Sequence, residues 1–178
     1  CKGLVLQNQF KTSDYEGMVV ELCPELTGSQ TGNLSSDKFP NLSHIISMTS
    51  SALSGIYNWK DFLALADQSS DEDLADRQSS QDMDEPINIQ YTSGTTGFPK
   101  GATLSHHNIL NNGYFCASTM NFTERDRLVI PVPLYHCFGM VMGNLGCLTH
   151  GACAIYPSEG FDPEAVLKAV QREKATAV

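Results

Sequence analysis

The chain has 178 residues, enough for one ordinary domain, and 41% of them are hydrophobic, enough for a buried core. Its net charge of −9 is uneven, because residues 67–85 hold eight acids against the single base Arg77. Nothing in this balance resembles a basic nucleic-acid footprint, and no apolar run reaches the roughly 18 residues of a membrane span. Six cysteines (1, 23, 116, 137, 147 and 153) show neither C-x-x-C pairs nor Cys/His zinc spacing. They point to a reducing, intracellular compartment, where the sequons at Asn33, Asn41 and Asn121 are chance matches.

In chain order, Gly3–Phe10 reads as a strand. Ser13-x-x-Glu16 reads as a capping box that opens a helix ending near Cys23, before Pro24. Residues 27–40 are rich in Gly, Ser, Asn and Thr and read as loop. His44–Met48 reads as a strand with His44 at its edge. Trp59, Phe62, Leu63 and Ala66 recur at helical spacing and predict a short helix over Trp59–Ala66. The acidic run 67–85 reads as a solvated linker. Ile87–Tyr91 reads as a strand. A helix is expected from about Ser105 to Met120, with His106 and His107 in its first turn. Adjacent helical residues point about 100° apart, so these two cannot chelate one ion together. Arg127–Val132 reads as a strand cut off by Pro131 and Pro133. Phe138–Thr149, apolar and carrying Gly139, Gly143 and Gly146, reads as a closely packed helix. Ala152–Tyr156 is a strand, Asp162 caps a helix with Pro163 at its first position, and Thr176–Val178 begins another strand. From residue 86 the order is β-loop-α-β-α-β-α-β. This predicts an α/β fold, a layered and mainly parallel sheet with flanking helices.

The most informative stretch is Tyr91–Gly101, YTSGTTGFPKG. Its glycines at 94, 97 and 101 permit close backbone approach, and free N–H groups in such a turn make a concave nest for anions. Ser93, Thr95 and Thr96 add hydroxyl donors, and Lys100 adds a full positive charge. A strand before it and a helix after it are the setting of a phosphate loop. It is not the Walker A pattern, because Pro99 and Gly101 stand where that pattern needs Gly and a hydroxyl residue. The bland alternative is a Gly/Thr surface turn.

The run YTSGTTGFPKGATLSHHNI (91–109) resembles the phosphate-binding signature of the adenylate-forming, AMP-binding enzymes. That family includes acyl-CoA synthetases, coumarate-CoA ligases, luciferases and peptide-synthetase adenylation domains. PVPLYHCFG (131–139) looks like the family's next motif, a loop beside the acyl and nucleotide pockets. The longer run from Asp84 to Asn112 is similar to the mitochondrial medium-chain acyl-CoA synthetases within the family. The likeness is strong over 86–178 and weaker over 1–66.

The resemblance implies the chemistry. Such enzymes join a carboxylate to the α-phosphate of ATP and pass the acyl group to coenzyme A. Thr92, Ser93, Gly94, Thr95, Thr96, Gly97, Phe98, Pro99 and Lys100 would cradle the β- and γ-phosphates with Mg²⁺ as partner, and no metal ligand is assigned. His136 would lie beside the substrate carboxylate, with Tyr135 and Phe138 on the apolar wall. Cys137 has no base or orienting group and reads as a structural thiol. Lys100 and His136 are the catalytic candidates. Small molecules (ATP, a fatty acid and coenzyme A) are the expected partners, and the mitochondrial matrix is the location the likeness implies.

The family's later signatures, including the adenine and magnesium motif, the ribose-binding aspartate and the late lysine, are not found in the chain. It also opens without Met. The expectation is therefore a piece of an N-terminal adenylating domain, inactive alone: 1–66 a partial α/β subdomain, 67–85 a linker and 86–178 the phosphate-loop segment. A non-catalytic nucleotide-binding derivative and an adenylation module for another carboxylate remain the alternatives.

Overall fold

Backbone pairing begins at once in the computed structural model, which describes residues 1–94 and 97–178. The chain forms two compact units, Cys1–Ser79 and Ser80–Val178. In the first, β1 (Gly3–Leu6) is followed by a two-strand ribbon, β2 (Gln9–Phe10) and β3 (Ser13–Asp14), and by helix α1 (Tyr15–Leu22). Next come a 3₁₀ turn at Pro24–Gly28, β4 (His44–Ser47), β5 (Tyr57–Asn58) and α2 (Trp59–Ala64). β4 lies between β1 and β5 and is parallel to both. Val19, Cys23, Leu26, Leu34, Ile45 and Ile56 form the core beneath this sheet. Glu16 is also buried there, and its carboxylate accepts a hydrogen bond from the fully buried Ser47 hydroxyl.

Two local expectations are corrected here. The α1 cap is Asp14 rather than Ser13: Asp14 Oδ1 accepts from Gly17 N at 2.9 Å, while Ser13 is spent in the ribbon. Helix α2 stops at Ala64 and tightens into a 3₁₀ turn over Leu65–Gln68. The acidic run 67–85 is exposed throughout, yet it holds a further helix, α3 (Asp71–Ser79). Ser70 and Asp73 cap it reciprocally. Asp73 N donates to Ser70 Oγ at 3.0 Å, and Ser70 N donates to Asp73 Oδ2 at 2.9 Å. Three acids in the first turn and Arg77 in the last complement the helix dipole.

The second unit opens with an antiparallel hairpin, β6 (Pro86–Thr92) against β7 (Lys100–Ser105). Helix α4 (His106–Thr119) follows directly, capped by Ser105 and Asn108. Then come β8 (Arg127–Val129), a wide π-helical segment over Phe138–Leu145 continuing into α5 (Gly146–His150), β9 (Cys153–Ile155) and α6 (Pro163–Glu173). β8 pairs in parallel with β9, and Leu128 bridges to Ala177 in parallel on its other side. Side chains alternate across these strands. Leu128 and Ala154 pack on Ala117, Phe122 and Cys147, whereas Val129, Ile155 and Cys153 pack with Ala169, Val166 and Val170 of α6. The expected layering of helices about a parallel sheet is present around this two-strand pair and its added bridge.

Two features fix the helices on the first face. Gly113 of α4 lies so close to the wide helix that a Cβ there would sit 2.7 Å from Leu145 Cβ. His150, which the sequence did not single out, ties α5 to α4. Thr149 Oγ1 hydrogen-bonds Leu145 O at 2.8 Å and lies 3.0 Å from His150 Nδ1. The other ring nitrogen hydrogen-bonds Ser118 Oγ at 3.1 Å, and the ring stacks on Tyr114 at 5.1 Å.

Candidate functional site

The glycine-rich loop joins two paired strands. Thr92, the last residue of β6, stands opposite Lys100, the first of β7, so Ser93–Pro99 is the connection of a hairpin. This corrects the strand–turn–helix setting. A six-residue strand separates the loop from α4, and the dipole of that helix is not at the loop. Thr103 pairs with Ile89 and Leu104 with Asn88, so both belong to β7 rather than to a helix approach.

The loop itself needs its glycines. Gly94 has φ 67° and Gly97 φ 87°, in the left-handed region that side chains with a Cβ disfavour. A Cβ on Gly94 would also collide with the carbonyl oxygen of Phe98, so the backbone folds back on itself there. Thr92, Ser93, Gly97, Phe98, Pro99 and Lys100 are exposed and Gly94 is half-buried. Thr95 and Thr96 lie outside the described residues. Among the described residues no hydrogen bond or ion pair engages Ser93 Oγ or Lys100 Nζ. An ammonium and a hydroxyl are thus uncommitted on one tight, glycine-turned backbone. That donor set fits a phosphate chain.

The second motif follows the carboxyl end of β8. Pro131 and Pro133 end the strand pairing, and the chain turns through Leu134–His136 into the wide helix. His136 is exposed and is held at both its backbone groups. Its N–H donates to Pro133 O at 3.2 Å, and its carbonyl accepts from Met140 N at 3.0 Å. Its ring Nδ1 accepts from the Phe138 amide at 3.1 Å. Gly139 is buried, and a Cβ there would press on the Pro133 carbonyl, which explains why no larger residue stands at that turn.

Phe138 lines an apolar cleft of about 240 Å³ with Met120, Leu128, Pro131, Met142 and Val178. Tyr135, expected on the same wall, is 84% exposed and does not line this cleft. Cys137 is half-buried, and among the described residues no base is hydrogen-bonded to its thiol. Among the described residues no hydrogen bond or ion pair joins Thr92–Lys100 to Pro131–Gly139, so the two motifs share a unit without direct polar contact.

His106 and His107 do not share a ligand. His107 Nδ1 meets Asp84 Oδ1 at 2.9 Å, and its amide donates to Met83 O at 3.0 Å, which pins the end of the acidic run to the start of α4. No group of three metal-binding side chains occurs among the described residues, and no described helix is long and apolar enough to cross a membrane. Burial raises the Cys23 and Cys147 thiols above their ordinary range, which keeps them protonated.

Known proteins resemble this chain along its whole length. YngI of Bacillus subtilis (strain 168) is 44% identical over 176 residues, covering 99% of this chain and 32% of YngI. The mitochondrial medium-chain acyl-CoA ligase ACSF2 of Danio rerio is 42% identical over 180 residues, covering 100% of this chain and 30% of that protein. The chain thus spans about a third of the length of these relatives. The anthranilate CoA ligase AuaEII, solved in complex with anthranoyl-AMP, shares the fold. Its TM-score is 0.66 at 20% identity, over 99% of this chain and 30% of AuaEII. Residues 6–178 match the AMP-binding enzyme family across both units, and the chain belongs to that family.

Proposed function

We propose that the protein containing this chain is an acyl-CoA synthetase. Its substrates would be ATP, a fatty carboxylate and coenzyme A, and it would release AMP and pyrophosphate. The carrying observation is the hairpin loop Ser93–Pro99. It is turned by two positive-φ glycines and flanked by an uncommitted Lys100, in a chain of the AMP-binding family. In the first step a carboxylate oxygen attacks the α-phosphorus, and the bond to pyrophosphate breaks as the new O–P bond forms. In the second, the coenzyme A sulfur attacks the acyl carbon, loses its thiol proton and displaces AMP.

The first step brings anions together, so it calls for charge neutralisation and positioning. Thr92, Ser93, Lys100 and the loop amides would hold the β- and γ-phosphates. Mg²⁺, when bound, would neutralise phosphate charge. His136 would hold the carboxylate, and the Phe138 cleft supplies apolar surface for an acyl chain. A medium-chain substrate and a mitochondrial location rest on the likeness to ACSF2.

The test is pyrophosphate release by the full-length protein with ATP, Mg²⁺ and a series of fatty acids, followed by thioester formation on adding coenzyme A. Release that depends on a fatty acid is expected, with an optimum at medium chain length. Release with amino acids or aromatic acids alone would move the assignment to another carboxylate.

A further inference from the structure

We infer that Tyr91 is a positioning residue for the glycine-rich loop: its ring, laid across Gly101, braces the mouth of the hairpin so that Thr92 and Lys100 stay opposite each other. Gly101 is not among the glycines at positive φ, so its backbone conformation does not call for a missing side chain. Its surroundings do. A Cβ there would meet Ile89 Cγ2 at 3.0 Å, and Tyr91 Cε1 and Cζ at 3.5 and 3.6 Å. Tyr91 and Gly101 are paired across β6 and β7, so the ring lies over the bare glycine on one face of the hairpin. A glycine inside a strand packs nothing and weakens the pairing, and an aromatic partner that covers it restores the lost contact.

The place of this pair gives it its role. Thr92 and Lys100 are the next pair and the last before the loop. Side chains alternate along a strand, so these two project from the face opposite Tyr91. The ring thus supports the loop from behind and leaves Lys100 open to a phosphate. At its other end the hairpin is anchored where Pro86 pairs with Ser105, the cap of α4. Toward the loop, β7 sets only Gly101 and Ala102 against Tyr91 and Gln90. Tyr91 is 74% exposed, so its contact with Gly101 is a surface brace and not part of a core. A loop held in its binding form binds tighter, because apparent affinity scales with the fraction of molecules in that form. The phosphate as ligand rests on the acyl-CoA synthetase reading; the brace does not.

Three substitutions separate the ring from the hydroxyl and from strand propensity. Tyr91→Phe keeps the ring, Tyr91→Val keeps a strand-forming residue without it, and Tyr91→Ala removes both. In fatty-acid-dependent pyrophosphate release by the full-length protein, Val and Ala should raise KM for ATP about two- to fivefold, the range for one cross-strand aromatic contact. Phe should match the parent, and KM for the fatty acid should not move. Val matching the parent overturns the brace. Phe failing as Val does overturns it too, since the hydroxyl would then carry the role. Equal rises in both KM values would mark a general structural loss and overturn it as well.

Amide hydrogen exchange reads the brace without turnover. Peptides covering residues 98–105 should exchange about two- to fivefold faster in Tyr91→Val than in the parent, and at the parent's rate in Tyr91→Phe, with β8 and β9 peptides unchanged in both. Equal rates in Tyr91→Val and the parent overturn the inference even in an active enzyme. If the parent releases no pyrophosphate with any carboxylate, the synthetase reading falls and the exchange rates alone decide the brace.

Discussion

Lys100 and Asp126 show how differently a single charge can be used. Lys100 sits at the mouth of the loop with no partner among the described residues, so its removal should spare the fold. Lys100→Ala in the full-length protein is expected to slow pyrophosphate release ~10–100-fold, the range for losing one bond to a charged group, with the melting temperature unchanged. A collapsed melting temperature would make Lys100 structural. Asp126 is the opposite case. Its carboxylate accepts from Thr176 Oγ1 at 2.8 Å, Thr123 N at 2.8 Å and Thr123 Oγ1 at 3.0 Å, tying the start of β8 to the chain beyond α6. Thr176 first and then Thr123 hold its pKa below the usual carboxylate range. Its contribution is complete above the unfolded value near 4 and is lost as pH falls through the lower folded value. The urea midpoint of the full-length protein should therefore drop as the pH falls below about 4, and Asp126→Ala should make that limb shallower. An unchanged slope would show that the bonds do not matter.

Elements were legible where a residue's chemistry has only one local outlet. Asp162 with Pro163 announced α6, and its Oδ1 accepts from Glu164 and Ala165 as a cap should. The helix expected from about Ser105 is α4, and Ser105 turns out to be its cap. Three signals competed and were misread. Ser13 and Asp14 both offer a cap, and the ribbon takes Ser13. Lys100–Ser105 carries two small residues and a lysine and does not read as a strand, yet it becomes one because β6 supplies its hydrogen bonds. Composition hid α3, since eight acids say solvent while Ser70-x-x-Asp73 says helix; both statements are true of the same exposed segment. A nine-residue helix with no buried residue gains little from packing, and helices this short are marginal in water. Trypsin should cut first after Arg77, the one base in that run; protection there equal to that of β6 would show that α3 is packed. Gly113, by contrast, is locked between α4 and the wide helix. Gly113→Ala should cost about 1–3 kcal/mol by overpacking, read as a lower urea midpoint. No loss would show that the two helices part easily. The likeness of the loop to its family was plain in the letters. The His136–Phe138 bond was not, because a hydrogen bond two residues long leaves no periodicity.

Across the whole chain, the two units are built on separate cores, one around Leu26 and Ile45 and one on both faces of β8 and β9. Each contains one cysteine only 2% exposed, Cys23 in the first and Cys147 in the second. Burial raises both thiols, so neither reacts in place. An alkylating reagent can modify them only when the surrounding core opens. The two positions are thus internal clocks: their labelling rates, separated by mass spectrometry of the peptides, time the opening of each unit independently. Mild denaturant should bring the two sites to different half-lives if the units open one at a time. Equal half-lives at every denaturant concentration would mean that the chain opens as a single cooperative body.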